Sequence, residues 1–324
     1  MALVVLCIPV FGQTNPVKMC DLVCEIRGQV AGTVNGQSNL GYDSSFTWNP
    51  QNFPGFYYDI NQELGTETLK LSGNNPYGFI YTTTAQNKHF EQALWGSYKV
   101  IGFLTEKYFA GYNQGNTEQD GSNIFYKESA DKNSLASGQL EKILMDSKDE
   151  MTLTTSTSLL DHIKLEEGYE LVVNLIDANG MHLELTKNGQ VVDSKVISLS
   201  KEGATEMDKT YWYNPTVGVQ KNPITIGVHF KNAIESQKLT VVDGIWQISD
   251  TPTNVKADTL YDKMTIRTVD ANAGTITMDN KDNAVTLPKN KDFVLMPGIS
   301  IKTADSDNLR FYIYSEKNCR CRGF

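Results

Sequence analysis

The sequence predicts an all-β chain divided into two connected domains. Strand-period alternation of apolar and polar side chains recurs along the body, in 168–176, 181–197, 223–230, 238–249 and 308–315. Asn-Gly and Asp-Gly dipeptides punctuate it at Asn179-Gly180, Asn188-Gly189 and Asp243-Gly244, supplying the positive φ angles that tight hairpins need. The length, 324 residues, exceeds the usual size of one domain. Many short strands with turns at near-regular spacing indicate sandwiches or barrels. Tyr (15) and Phe (13), beside Val, Ile and Thr, give the β-leaning composition that such strands require.

At the N-terminus, Ala2 to Gly12 is apolar for about ten residues, too short to span a bilayer as a helix but of the length of a signal-peptide h-region. It lacks a basic n-region, so 1–26 is read as a truncated signal peptide or N-terminal tail, with a buried strand as the alternative. Aromatic-rich, Gly-punctuated β-sequence follows in 46–69 and 98–112. Helical signal is weak. Residues 87–94 suit a short helical turn, and 134–146 could begin helical, although Gly138 and the strand-like sequence after it oppose that. In "LTKNGQVV", Asn188 and Gly189 form the turn of a two-residue hairpin.

A faint internal repeat relates 140–185 to 261–314, pairing Lys142 with Lys263, Thr152 with Thr275, Leu165 with Leu287 and Tyr169 with Phe293. It places a first β-sandwich domain at 27–198 and a second at 205–316. The polar, Gly-containing stretch Leu199 to Lys209 links them. Residues 317–324 form a C-terminal tail that breaks from the alternating pattern.

Charge and cysteine usage narrow the function. The net charge is −9 and no Lys/Arg cluster offsets it, so the chain is not expected to bind nucleic acid. The five cysteines (Cys7, Cys20, Cys24, Cys319 and Cys321) sit only at the ends, unlike a small disulfide-built fold. Their spacing is poor for zinc and no histidine lies near, so pairing across the termini, or free thiols in the tails, is expected. No segment beyond the N-terminal one is apolar enough to cross a membrane.

No motif carries catalysis. The histidines His89, His162, His182 and His229 show no metal-ligand spacing, and His182 and His229 fall within alternating strands. No G-x-S-x-G elbow, P-loop or dinucleotide fingerprint is present. The carboxylate pairs Glu166-Glu167 and Asp149-Glu150 are read as solvated loop charges rather than glycosidase pairs. The Asp-rich turns at 279–283 and 305–308 offer oxygen ligands but do not match the EF-hand loop, and hairpin-turn chemistry explains them. Trp48, Trp95, Trp212 and Trp246 could build a sugar platform, but aromatics in β-domains more often fill cores or interdomain contacts. In "TYWYNP" (Thr210 to Pro215) a strand must turn at least one aromatic outward, which makes it the best candidate for a domain or subunit interface. No catalytic, cofactor-binding or metal residue is assigned.

The segments "FTWNPQNFPGFYYD" (46–59), "GTETL" (65–69), "IYTT" (80–83), "WGSYKVIGFLTEKYFAGY" (95–112), "LEEGYEL" (165–171), "LELTKNGQVVDSKV" (183–196), "VHFKN" (228–232) and "VDGIWQISD" (242–250) occur in an order that resembles the S-layer duplication domain of Methanosarcina-type archaeal S-layer proteins. The resemblance runs from about Arg27 to Glu316. It implies two connected β-sandwich domains and an extracellular, cell-surface subunit without enzymatic activity or cofactor. Such subunits self-associate with their neighbours in a two-dimensional lattice that acts as protective sheath and molecular sieve, with narrow, negatively charged pores. Family members typically carry two copies and a C-terminal membrane anchor, whereas this chain carries one copy and no transmembrane anchor. The alternative expectation is a secreted β-sandwich binding module, an adhesin or carbohydrate-binding protein.

Overall fold

The computed structural model describes residues 21–41, 44–73, 78–112, 135, 138–156, 159–198, 205, 208–215, 217 and 224–320. These residues are β-strands and turns, with short 3-10 turns at Ala93–Trp95 and Glu235–Gln237. The all-β expectation holds, and 87–94 and 138–146 are mainly strand rather than helix (Gln86–His89 and Gln139–Ser147). Residues 1–20 of the expected signal peptide or N-terminal tail, Cys7, Cys20, Cys321 and most of the expected linker lie outside the described residues, whereas 21–26 and 317–320, expected as tails, belong to the paired strands Asp21–Arg27 and Arg310–Arg320.

Alternation explains the strands. In Phe79–Thr84 the residues Phe79, Tyr81 and Thr83 are buried while Ile80, Thr82 and Thr84 lie on the more open face. Gly180–Lys187 likewise buries Met181, Leu183 and Leu185. A pleated strand turns successive side chains to opposite faces, so each strand lays one apolar row on a core.

Three cores result. One lies between two six-stranded sheets. Ala31, Ile299, Ile301, Phe311 and Ile313 come from the first sheet, and Trp48, Leu69, Phe79, Tyr81, Met264 and Ile276 from the second. Phe311 meets Trp48 and Phe79 across this core, at 5.7 and 6.4 Å between ring centroids. The second core lies between the four-stranded sheet formed by His162–Lys164, Tyr169–Asp177, Gly180–Lys187 and Gln190–Ile197 and the far end of a ten-stranded sheet. The ten-stranded sheet lines both of these cores. Its strands Gln86–His89, Ser97–Phe103, Glu106–Tyr112 and Gln139–Ser147 continue through Leu239–Ile248 into Met151–Ser156 on one path and Ile226–Ile234 on another. Tyr98, Val100, Phe109, Ile143, Trp246 and Ile248 build the third core on this shared sheet.

Chain order does not follow sheet order. Thr275–Asp279 pairs with Phe79–Thr84, bringing Thr277 opposite Thr82. The last strand, Arg310–Arg320, pairs with both Asp21–Arg27 and Ala31–Val34. A sequential cut into 27–198 and 205–316 would therefore sever hydrogen-bonded ladders in both six-stranded sheets. The repeat pairing does not carry through to the ladders either. Met264–Asp270 pairs directly with Thr275–Asp279, whereas Leu239–Ile248 separates Gln139–Ser147 from Met151–Ser156.

The turn chemistry divides in two. Asn188 (φ 51°) and Gly189 (φ 78°) form the expected two-residue turn, with Lys187 opposite Gln190. Asp243-Gly244 is no turn. It lies within Leu239–Ile248, where His229 faces Gly244 and Phe230 faces Val242, so that Asp243 is the extra residue of a bulge. A Cβ on Gly244 would come within 2.9 Å of the Gln92 side chain, which explains a glycine inside a strand here.

Candidate functional site

The most connected polar feature is the buried carboxylate of Glu67. It sits on the strand Glu67–Leu71 in the same inward row as Leu69, so strand parity alone drives it into the core. Its Oε2 accepts the backbone N–H of Tyr57 at 2.8 Å. Its Oε1 accepts the backbone N–H of Thr105 and the hydroxyl of Tyr81, both at 2.9 Å. Beside it, Thr66 Oγ1 accepts the Gly102 N–H at 2.6 Å, and Thr83 donates to the Gly102 carbonyl at 2.7 Å. A Cβ on Gly102 would lie 2.6 Å from Glu67 Oε2, so glycine there lets the two strands close on the carboxylate. Burial pushes the Glu67 carboxyl up to about 7, against the pull of its three donors and of the more distant Lys317.

A second cluster lies beside it around a cavity of about 250 Å³ lined by Tyr57, Asp59, Lys88, Glu91, Lys107 and Asp146 among others. Lys88, almost fully buried, donates to Asp59 at 2.6 Å and reaches Glu91 at 3.5 Å. Burial pushes the Asp59 carboxyl up, but Lys88 and the backbone donors of Gln62 and Asn61 hold it below its ordinary value. Burial raises Asp146 and lowers Lys107. Asp146 accepts the Glu91 N–H and the Tyr98 hydroxyl, each at 3.0 Å, tying the strand Gln139–Ser147 to the loop after Gln86–His89. The buried Tyr57 hydroxyl has no hydrogen-bond partner among the described residues.

The groups singled out from the sequence are scattered rather than convergent. His162 contacts Glu170 at 3.0 Å and His182 contacts Asp177 at 3.3 Å, each at a strand surface. His229 is buried in Ile226–Ile234 against Asp243, so His182 and His229 are strand residues as expected. Glu150 pairs with Lys231 in solvent. Glu167 departs from the solvated-loop expectation, because it accepts the Ser249 hydroxyl at 2.5 Å and the Asp250 N–H at 3.1 Å. Those bonds fasten its turn to the chain just beyond Leu239–Ile248. In the first Asp-rich turn, Asp279 and Asp282 both engage Arg267 (2.7 and 2.6 Å) and the Asn280 side-chain Oδ1 accepts the Phe79 N–H. In the second, Asp307 pairs with Lys289. No group of three or more His, Cys, Asp or Glu side chains among the described residues is placed to hold a metal ion.

The tryptophans are core residues. Trp48, Trp95 and Trp246 are fully buried, and the Trp48 ring N–H donates to the Gln29 carbonyl at 2.8 Å. The "TYWY" strand Thr210–Tyr213 divides its aromatics between two cores. Tyr211 enters the second core, while Trp212 packs against the shared aromatic cluster, 5.7 Å from Trp95. The outward aromatic thus makes an internal contact, with Trp95. Gly227, opposite Trp212 in the ladder, makes room for it, since a Cβ there would meet the indole at 2.7 Å.

At the ends, the register sets Cys24 opposite Lys317 and Leu22 opposite Cys319, and Cys24 is disulfide-bonded. This agrees with paired rather than free thiols for Cys24.

These features are architectural: the quoted motif segments 46–59, 65–69, 80–83 and 95–112 converge on Glu67 and hold one another. Comparison with known proteins gives the same direction. The family model described as S-layer protein matches residues 37–305.

The chain belongs to the S-layer protein family.

It is similar to the Major S-layer protein of Methanosarcina mazei, with 28% identity over 90% of this chain and 40% of that protein. It is also similar to the Major S-layer proteins of Methanosarcina acetivorans (30%; 90% and 40%) and Methanosarcina barkeri (27%; 89% and 39%). The chain thus spans about 40% of the length of these S-layer relatives. The Glu67 junction itself was open to sequence reasoning, because parity with Leu69 in "GTETL" already marks an inward acid.

Proposed function

We propose that this chain is a structural subunit of a cell-surface S-layer, joining neighbouring subunits in a two-dimensional lattice that shields the cell and sieves solutes. The observation that carries the reading is the family match over 37–305. The internal use of the motif residues supports it, since the polar groups that converge do so to fasten sheets together. No catalytic role is assigned. A net charge of −9 suits pore rims that repel anions. The reading places the chain outside the cell.

Two sandwiches suit such a subunit, and the ladders support a nested division in place of the sequential one. Residues 151–248 make one sandwich, inserted between the two parts (21–147 and 253–320) of the other. The shared ten-stranded sheet and the Trp95–Trp212 contact fix the angle between them, as a lattice element needs.

The competing reading, a monomeric glycan-binding module, relied on exposed aromatics, and the tryptophans are mostly in cores. Sedimentation velocity over a concentration series, with a glycan-binding screen in parallel, tests the choice. Concentration-dependent assembly without saturable glycan binding is expected; a persistent monomer that binds a glycan would overturn the proposal.

A further inference from the structure

The two-stranded hairpin of Tyr58–Asp59 and Leu64–Gly65 meets Gln86–His89, an edge strand of the ten-stranded sheet. Gln62 ties the two together, donating to the His89 carbonyl and accepting its N–H. Beside that tie stands the pair of Lys88 and Asp59, 29 residues apart in sequence. Their side chains are 4% and 12% exposed, and Lys88 Nζ lies 2.6 Å from Asp59 Oδ2. No other lysine–carboxylate pair among the described residues is as enclosed.

The surroundings of the pair are those of a reactive centre. The other carboxylate oxygen, Asp59 Oδ1, accepts the backbone N–H groups of Asn61 and Gln62 at 3.0 and 3.1 Å. Two fixed backbone donors on one oxygen stabilise negative charge that develops there. Glu91 Oε1 lies 3.5 Å from the same Nζ, so a second carboxylate stands at the amine to carry a proton. The Glu91 N–H donates to Asp146, which positions it. The pair lines the cavity of about 250 Å³, into which a released water can pass.

We propose that Lys88 and Asp59 join in an intramolecular amide (isopeptide) bond that staples the hairpin to the edge strand. One proton passes from the ammonium along the contact between Nζ and Oδ2. The amine then attacks Cγ of Asp59, and charge gathers on Oδ1 under the Asn61 and Gln62 donors. Glu91 takes a second proton from Nζ and returns it to Oδ2, which leaves as water. The Nζ–Cγ bond forms and the Cγ–Oδ2 bond breaks. Of the ammonium's protons one stays on the amide and two leave in the water; nothing is oxidised and no co-reactant is consumed.

Two effects favour the step. Well-oriented intramolecular partners reach effective molarities of about 10⁵–10⁸ M. The product also replaces two enclosed charges by one neutral amide. Burial raises the Asp59 carboxyl, but Lys88 and the backbone donors hold it below its ordinary value, so the neutral pair that reacts is the minor form. Closure is therefore slow beside folding: the freshly folded chain carries the ion pair, and the aged chain carries the staple.

The intact mass of the full chain, reduced after a week's incubation in the folded state, tests this. A species lighter by one water is expected to grow. Digestion is expected to release a branched peptide in which Lys88 is joined to Asp59. One water is expected and not two, because the Lys187–Asp250 pair is more exposed and has no second carboxylate at its amine among the described residues. K88R, with unchanged circular dichroism, keeps the charge without the nucleophilic amine and should hold the full sequence mass. E91Q should close about a hundredfold more slowly. A wild-type mass that does not change overturns the bond. So does a water loss that persists in K88R, since an aspartyl succinimide has the same mass. E91Q closing at the wild-type rate overturns the assignment of Glu91 as the proton carrier.

Discussion

Tyr81 donates its hydroxyl to Glu67 at 2.9 Å inside the first core, and the same hydroxyl accepts the Leu104 N–H at 3.2 Å. One phenol thereby joins the strands Glu67–Leu71 and Phe79–Thr84 to the turn between Ser97–Phe103 and Glu106–Tyr112. That turn runs through two left-handed residues, Leu104 (φ 54°) and Thr105 (φ 69°), and Glu67 holds the second by its N–H. The carboxylate thus secures a backbone conformation that neither residue favours alone.

Removing it should be costly. Glu67→Ala strands the N–H groups of Tyr57 and Thr105 and the Tyr81 hydroxyl and opens a cavity, so a loss of about 3–5 kcal/mol is expected in urea unfolding. Glu67→Gln keeps the shape but turns an amide NH₂ toward a donor, and about 1–3 kcal/mol is expected.

The same residue sets a pH dependence with a defined sign. Its folded pKa, about 7, lies above the ordinary 4.5, so the folded chain holds the proton more tightly. The associated stability is full below 4.5 and is lost as pH rises through about 7. Asp59, Glu106 and Asp250 act oppositely: burial raises each, but Lys88, Lys317 and Lys187 respectively hold them below their ordinary values. Their contribution is present above the ordinary carboxylate range and lost in acid. Between pH 5 and 8 wild-type unfolding free energy should therefore fall by about 2–3 kcal/mol, and Glu67→Gln should flatten that fall.

Lys88 and Asp59 make a buried pair, and removing one partner leaves an uncompensated charge. Lys88→Met should cost about 3 kcal/mol, and Lys88→Met with Asp59→Asn should recover most of it. A double variant no more stable than Lys88→Met would show that the pair is not coupled.

The packing of Trp212 can be probed at Gly227, which faces it in the ladder. Gly227→Ala places a methyl against the Trp212 indole and should cost about 1–3 kcal/mol while altering tryptophan fluorescence. Trp212→Leu in the same chain should relieve part of that cost.

Strand identity was legible because periodicity is local. Phe79–Thr84 and Gly180–Lys187 each show their inward row in their own sequence. Partner choice was not, because Thr275 shows nothing of Thr84, which it meets in the ladder. Hence the sequence alone does not show that Thr275–Asp279 pairs with Phe79–Thr84 or that Arg310–Arg320 pairs with Ala31–Val34. Asn188-Gly189 and Asp243-Gly244 look alike in sequence, yet only the first turns the chain. The second is held as a bulge by His229 on the neighbouring strand and by Gln92, 151 residues earlier. Strand alternation required at least one aromatic of Thr210–Tyr213 to face outward, but that Trp212 does so and meets Trp95 rather than solvent depended on the fold.

The most direct measurement is electron diffraction, or the Fourier transform of negatively stained images, from the purified chain at rising concentration. Sharp reflections of a two-dimensional lattice are expected, with a repeat that holds a whole number of subunits. Monodisperse single particles at every concentration would contradict the assignment of the chain as a lattice subunit.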